Sequence, residues 1–212
     1  MNLNLSTKCP LCGFPSLTCN NNGFELHKCQ NCGLVFKNYI YFQNANQEKE
    51  RYDKHSTNPD AGYLKSINDF IALAIIPLQN VITVLDYGCG RIGYLGTRLA
   101  DAGYRVSMYD LYYHSDKLAL EKQYDLVTLV EVVEHFQNPE IEFTNLCQLI
   151  KKNGYLAIKT QFVPKELNNW WYIRDITHYC FFSDQSLLYI AAKYGLDIIY
   201  NDHIQTIVYQ KK

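Results

Sequence analysis

The chain has 212 residues and a net charge of −1, with 48% hydrophobic and 19% charged residues. That length holds one full core and a small appendage, and the balance suits a folded globular protein and excludes a disordered or fibrous one. Near-neutral charge gives no general preference for nucleic acid, and no apolar run approaches the roughly 18 residues that span a bilayer, so the sequence predicts a soluble, unexported, cytoplasmic protein without membrane contact.

In chain order the cysteines speak first. There are eight, and in a chain without an export signal they stay reduced, which favours metal binding or packing over disulfides. Four form Cys9-Pro-Leu-Cys12-Gly13 and Cys29-Gln-Asn-Cys32-Gly33, with sixteen residues between Cys12 and Cys29. This is the paired-knuckle spacing of a zinc site, in which four thiolates close a tetrahedron and leave no open position. Residues 1–38 are therefore predicted to form a zinc ribbon with a structural ion. Cys19 and His27 read as bystanders, and Cys89, Cys147 and Cys180 as packing residues.

Residues 39–80 are expected to be a linker and a packing helix. The stretch through Asn58 is rich in Asn, Gln, Glu and Lys, with aromatic anchors at Tyr39, Tyr41, Phe42 and Tyr52. Asn58-Pro59 offers a helix start, and Tyr63, Ile67, Phe70, Ile71, Ala74 and Ile75 recur at helical spacing.

Residues 81–212 alternate short apolar runs with helical patterns, the signature of an open parallel sheet covered on both faces. Strands are predicted at Val81–Asp86, Arg105–Tyr109, Leu126–Val130, Tyr155–Thr160, Leu196–Tyr200 and Ile204–Tyr209. Helices are predicted at Tyr94–Ala102, Glu140–Lys151 and Asp184–Lys193. Asn201 to His203 is too short for a crossover, so the last two strands form an antiparallel hairpin.

The first of these strands runs into Asp86-Tyr-Gly88-Cys-Gly90-Arg-Ile-Gly93, with Asp110 at the end of the next strand, twenty residues beyond Gly90. Glycines let a backbone approach a ligand, and the acid can accept from ribose hydroxyls. An adenosine-containing cofactor fits, whether a nicotinamide dinucleotide or S-adenosylmethionine.

Further along come Tyr124-Asp-Leu-Val-Thr-Leu-Val-Glu131-Val-Val-Glu134-His135-Phe-Gln-Asn-Pro139 and Lys152-Asn-Gly154-Tyr-Leu. Together with Val84-Leu-Asp86-Tyr-Gly88-Cys-Gly90, this series resembles the class I S-adenosylmethionine-dependent methyltransferases, and most closely their ubiquinone-biosynthesis-like branch. The resemblance spans about residues 81–212 and implies a Rossmann-like sheet, mostly parallel, ending in an antiparallel hairpin. A dinucleotide-binding dehydrogenase sheet is all parallel. It further implies that Gly88 and Gly90 line the methionine part of the cofactor, that Asp86 sits near its amino group and that Asp110 holds the ribose, with Leu111 and Glu131 completing the cofactor-binding set. One departure stands out: the family's third glycine would fall at position 92, where this chain has Ile92, followed by Gly93.

Glu131, Glu134 and His135 follow the third strand of this region, at the sheet edge where α/β folds bind ligands. If they open a helix, they share one face, and His178 in Trp170-Trp-Tyr-Ile-Arg174-Asp175-Ile-Thr-His178 arrives at the same edge. Such a set could hold Mg²⁺, Mn²⁺ or Zn²⁺. It resembles the metal site of small-RNA 3′-terminal 2′-O-methyltransferases, and related acids occur in ubiquinone O-methyltransferases, which implies an ion acting on the acceptor oxygen. A bland reading stands beside it: the acids favour a helix N-terminus and His135 is packed. Without an ion, His135 or His178 is the candidate general base. The aromatic stretch from Phe162 through Trp170, Trp171, Tyr172, Tyr179, Phe181 and Phe182 reads equally as a lid or as a satellite core, and Arg174 as an anchor for an acidic group or as half of a surface ion pair.

Functionally, the sequence points to methyl transfer onto an oxygen of a small-molecule or RNA acceptor. A nicotinamide-dependent oxidoreductase and a non-catalytic ribbon adapter are the alternatives. The ribbon carries few basic residues, Lys8, Lys28 and Lys37, so it either braces the fold, contacts a protein or grips RNA.

Overall fold

A strand from near the C-terminal end completes the sheet that the N-terminal cysteines begin. The computed structural model describes residues 7–21, 23–54 and 59–212. In chain order its elements are β1 (Ser16–Asn21), β2 (Phe24–Cys29), β3 (Val35–Lys37), α1 (Ala45–Asp53), α2 (Ala61–Phe70), β4 (Thr83–Tyr87), α3 (Tyr94–Asp101) and β5 (Arg105–Tyr109). They continue with β6 (Tyr124–Val130), α4 (Pro139–Gln148), β7 (Ile150–Lys159), β8 (Cys180–Phe181), α5 (Asp184–Tyr194), β9 (Leu196–Asn201) and β10 (Thr206–Lys211).

The larger sheet has the order β5-β4-β6-β7-β10-β9. β4 runs parallel to β5 and β6, and β6 parallel to β7, whereas β10 is antiparallel to both β7 and β9. This is the predicted mostly parallel α/β sheet with its closing hairpin. Its inner strands are covered on both faces, with Val84, Leu85, Leu126, Val127 and Leu129 fully buried, hence their nearly unbroken apolar runs. Most predicted boundaries shift by one or two residues, and the largest differences meet at one junction. α4 stops at Gln148, and β7 starts at Ile150, already paired with Tyr124 across a bulge.

The smaller sheet has the order β1-β2-β3-β8. Its two cysteine turns repeat one hydrogen-bond pattern: Gly13 N–H to Cys9 O and Gly33 N–H to Cys29 O, with both glycines at φ 72°. β3 pairs with β8 through Val35–Phe181 and Phe36–Cys180. Leu11, Leu34 and Phe36 share one core with Leu85, Phe136 and Phe143, so the cysteine-rich region and the larger sheet are packed together.

The polar stretch expected to be linker contains a helix. α1 starts with a capping box between Asn44 and Gln47, and its buried residue is Glu48. An apolar stripe is missing because α1 docks through that carboxylate, which accepts from Tyr112 Oη, Tyr179 Oη and Gln137 Nε2. At α2 the cap is Asp60, which accepts from Tyr63 N–H at 2.8 Å; Asn58 lies outside the described residues. The helix continues through a wide turn over Ile71–Ile75, and Ile67, Phe70, Ala74 and Ile75 pack against Val84, Leu126, Ala157 and Val208. No helix among the described residues is long and apolar enough to cross a membrane.

Candidate active site and cysteine centre

β4 delivers its last residues to the carboxyl edge of the sheet, where the glycine loop turns into α3. Gly88 and Gly90 take φ values of 75° and 66°. A Cβ on Gly88 would lie 2.4 Å from Val132 Cγ2, whereas one on Gly90 would meet nothing within 4 Å. Gly88 thus packs against the chain itself, while Gly90 borders open space of the kind a cofactor backbone approach requires. The shifted third glycine is accommodated: Gly93, at φ 60°, is the N-cap of α3, and any Cβ there would strike Met108 Sδ at 2.7 Å. Ile92 points outward at 43% exposure.

Asp86 is buried beneath this loop, accepting from Gly96 N–H at 2.9 Å and Thr128 Oγ1 at 3.2 Å. Burial pushes its carboxyl up to about 6, against the pull of those two bonds. Asp110 closes the loop from β5. One of its oxygens accepts from Gly90 N–H at 3.0 Å and the other from the N–H groups of Tyr112 and Tyr113. Leu111 beside it is 62% exposed. These backbone bonds fix the carboxylate at the rim that a ribose would meet, so the residues present fit an adenosine cofactor.

Beyond β6 the chain does something the sequence did not announce. Glu131 adopts φ 53°, a left-handed conformation that costs a non-glycine residue about 1–2 kcal/mol. A single tight turn over Val133–His135 follows, and α4 begins only at Pro139. The expected helical face is therefore absent, and with it the reading of the two acids as N-terminal helix residues. The acids meet by another route. Tyr172 Oη lies 2.8 Å from Glu131 Oε2 and 2.5 Å from Glu134 Oε1, and Thr160 Oγ1 donates to Glu134 Oε2 at 2.9 Å.

Glu134 is fully buried; burial, then the nearby Glu131 charge, push its carboxyl well above the usual range. Both histidines stand beside it. His135 Nδ1 bonds the Thr177 carbonyl at 2.8 Å, and His178 Nδ1 bonds the Tyr172 carbonyl at 2.9 Å. A carbonyl only accepts, so each Nδ1 carries the hydrogen and each Nε2 keeps its lone pair. Burial favours these neutral forms, lowering His135 and pushing His178 down to about 3.

Ligand atoms of Glu134, His135 and His178 lie within 4.8 Å of one another. Glu131 is outside this group, and its Oε1 instead lies 3.2 Å from Lys159 Nζ. Four expected ligands thus become three. Two imidazole nitrogens and a carboxylate suit a borderline divalent ion, and the buried Glu134 carboxyl has only hydroxyl partners in Thr160 and Tyr172 among the hydrogen bonds above.

At the cysteine centre Cys9 Sγ lies 3.5 Å from Cys32 Sγ, and Cys12 Sγ 3.4 Å from Cys29 Sγ, with all four sulfurs within 4.8 Å. Zinc–sulfur bonds of about 2.3 Å place tetrahedral sulfurs about 3.8 Å apart, so these four fit zinc. Cys32 N–H also points at Cys29 Sγ, 3.5 Å away.

Several neighbours of the acids escaped sequence reasoning: Tyr172 in this role, Thr160, and Lys159, which is 5% exposed and also bonds Gln205 Oε1. Lys159 lines a cavity of about 250 Å³ with Lys65, Ser66 and Asp69 of α2 and with Gln205. The aromatic stretch resolves mainly as core: Phe162, Tyr172, Tyr179, Phe181 and Phe182 are buried, while Trp171 is 62% exposed. Arg174 is exposed.

An open, mostly parallel sheet with a reversed penultimate strand, and a glycine loop at its carboxyl edge, defines the class I methyltransferase fold. The chain belongs to the family described as "Methyltransferase domain", whose model matches residues 43–201. It is 32% identical over 148 residues to a "Ubiquinone biosynthesis O-methyltransferase" of Rickettsia canadensis (strain McKiel), covering 54% of this chain and 62% of that one. A protein of the same description from Rickettsia felis is 30% identical over 148 residues, covering 54% and 60%. The chain thus spans about three-fifths of the length of these curated relatives.

Among solved structures, mitomycin 7-O-methyltransferase superposes with a TM-score of 0.57 at 12% identity, covering 80% of this chain and 59% of that one. Magnesium protoporphyrin IX methyltransferase from Synechocystis PCC 6803, with bound SAH, superposes with a TM-score of 0.51 at 18% identity, covering 82% and 97%. At these identities the likeness concerns the fold.

Proposed function

We propose that this chain transfers a methyl group from S-adenosylmethionine to a hydroxyl oxygen of a small-molecule acceptor, with one structural zinc in the cysteine centre. The observation that carries the acceptor-side reading is the meeting of Glu134, His135 and His178 at the sheet edge that also bears the glycine loop, with both imidazoles presenting Nε2. The description of the Rickettsia relatives supports oxygen as the acceptor atom. A small molecule is favoured over RNA because Lys37 is buried, leaving Lys8 and Lys28 as the exposed cations of the three in the ribbon.

In this reading Asp86, Gly88, Gly90, Asp110, Leu111 and the Glu131 backbone bind and orient the cofactor. When bound, S-adenosylmethionine supplies an electrophilic methyl on a sulfonium, which leaves alignment and proton removal to the protein. Glu134, His135 and His178 would hold a divalent ion, whose charge would lower the pKa of the acceptor hydroxyl. Glu131 is a neighbour rather than a ligand, kept in place by Lys159 and Tyr172. Without an ion, His135 Nε2 takes the acceptor proton, since His135 is the more exposed of the two histidines.

Turnover on a panel of phenols and catechols, read as S-adenosylhomocysteine release, tests this. Chelation after zinc loading should abolish turnover, and Mg²⁺ or Mn²⁺ should restore it, with cofactor affinity unchanged. Turnover indifferent to chelation would remove the ion and leave the histidine as base. Tight cofactor binding with no turnover on any acceptor would favour a non-catalytic adapter.

A further inference from the structure

The third strand of the cysteine-rich sheet reaches the acid–histidine cluster through one buried cation. Lys37 closes β3, is fully buried, and places Nζ 4.2 Å from the centroid of the Phe24 ring. Its Nζ donates to the Asp175 carbonyl at 2.6 Å, and its backbone N–H to the Tyr179 carbonyl at 2.9 Å. An apolar side chain could fill the same space. What the ammonium adds is a directed, charge-assisted bond.

That bond grips the segment 172–178. Within it, the Asp175 carboxylate accepts from Thr177 N–H at 3.0 Å, from Thr177 Oγ1 at 2.7 Å and, across from α1, from Arg51 at 2.6 Å. The same segment provides both carbonyls that hold the imidazoles, that of Thr177 for His135 and that of Tyr172 for His178. The strap that sets both tautomers is therefore pinned from one side by Lys37 and from the other by Arg51.

We propose that Lys37 is a positioning residue, holding strap 172–178 so that His135 and His178 present Nε2 toward Glu134, which makes the cysteine-rich sheet a working part of the acceptor site. The proposal rests on the reading of Glu134, His135 and His178 given above. Burial pushes the Lys37 ammonium down to about 8, so it remains charged at neutral pH.

The test is ¹⁵N NMR of the imidazoles in full-length, zinc-loaded protein, with His135 and His178 assigned by single Gln replacements, alongside Mn²⁺ and S-adenosylhomocysteine titrations. Wild type should show one tautomer at each histidine, with hydrogen on Nδ1. Lys37→Met should keep its zinc and should keep cofactor affinity within about twofold, as expected of a distant site. Its two histidines should lose the single tautomer, and Mn²⁺ affinity should fall by about 10–100-fold, the usual effect of releasing a ligand's orienting partner. Lys37→Gln, which keeps an N–H donor, serves if the Met variant does not fold, and should move the same readouts less.

Unchanged imidazole signals in either folded variant overturn the proposal. So does loss of both zinc and cofactor binding in both variants, because Lys37 would then support the whole fold rather than the strap. If wild type itself binds no Mn²⁺, the ion reading fails, while the tautomer readout still decides the role of Lys37.

Discussion

Asp86 lies near its titration point at neutral pH, and this gives the cofactor side a pH signature. Burial raises its carboxyl to about 6, against about 3.9 in an unfolded chain. The folded chain therefore holds more protons than the unfolded one between those values. Its contribution to stability is full below about 3.9 and is lost as pH rises through about 6. If the cofactor's amino group sits beside Asp86 as proposed, its positive charge favours the ionised form, and S-adenosylhomocysteine affinity should then rise from pH 5 to pH 7. Asp86→Asn, which can keep contacts to Gly96 and Thr128, should flatten that rise in calorimetry; an equally steep rise in the variant would assign the titration elsewhere. At this scale local motifs made two features legible in the sequence, the glycine turn at the end of β4 and the convergence of the four cysteines. Tyr172, Thr160 and Lys159 were not legible, since they reach Glu131 and Glu134 from 26 to 41 positions away, across a turn no local pattern announces.

Among the elements, strands with two buried faces were readable because burial demands apolar runs, and β5 coincides with its predicted span. α1 was not, because it docks through Glu48 rather than through an apolar stripe. Glu48→Ala would leave Tyr112, Tyr179 and Gln137 without this acceptor, a cost of about 1–3 kcal/mol for each buried donor left unsatisfied. We expect α1 to loosen while the larger sheet stays folded. Limited proteolysis should then cut within residues 43–54 much faster than in wild type. Equal cutting would mean that α1 is held by other contacts. The α4–β7 boundary failed for a different reason: apolar Leu149 and Ile150 fit a helix end as well as a strand start, and pairing with Tyr124 decides between them.

At the scale of the whole molecule, the cysteine centre and the larger sheet do not separate cleanly, since β8 belongs to the smaller sheet and one core runs through both. Spacing revealed the knuckles, but a two-residue strand supplied from position 180 leaves no trace in a sequence. Zinc binding supplies much of the folding free energy of such small units. Cys12→Ser should therefore raise hydrogen exchange in residues 170–182 as well as in 7–38. A change confined to 7–38 would mean that the β3–β8 pairing transmits nothing. Whether the Asp86–Gly93 loop binds the methyl donor is decided by calorimetric titration of the purified chain with S-adenosylhomocysteine and with NAD. The expected result is one S-adenosylhomocysteine site per chain, weakened by about 1.5–3 kcal/mol in Asp110→Ala, the range for a hydrogen bond to a charged group, and no NAD binding. Tight NAD binding without S-adenosylhomocysteine binding would contradict it.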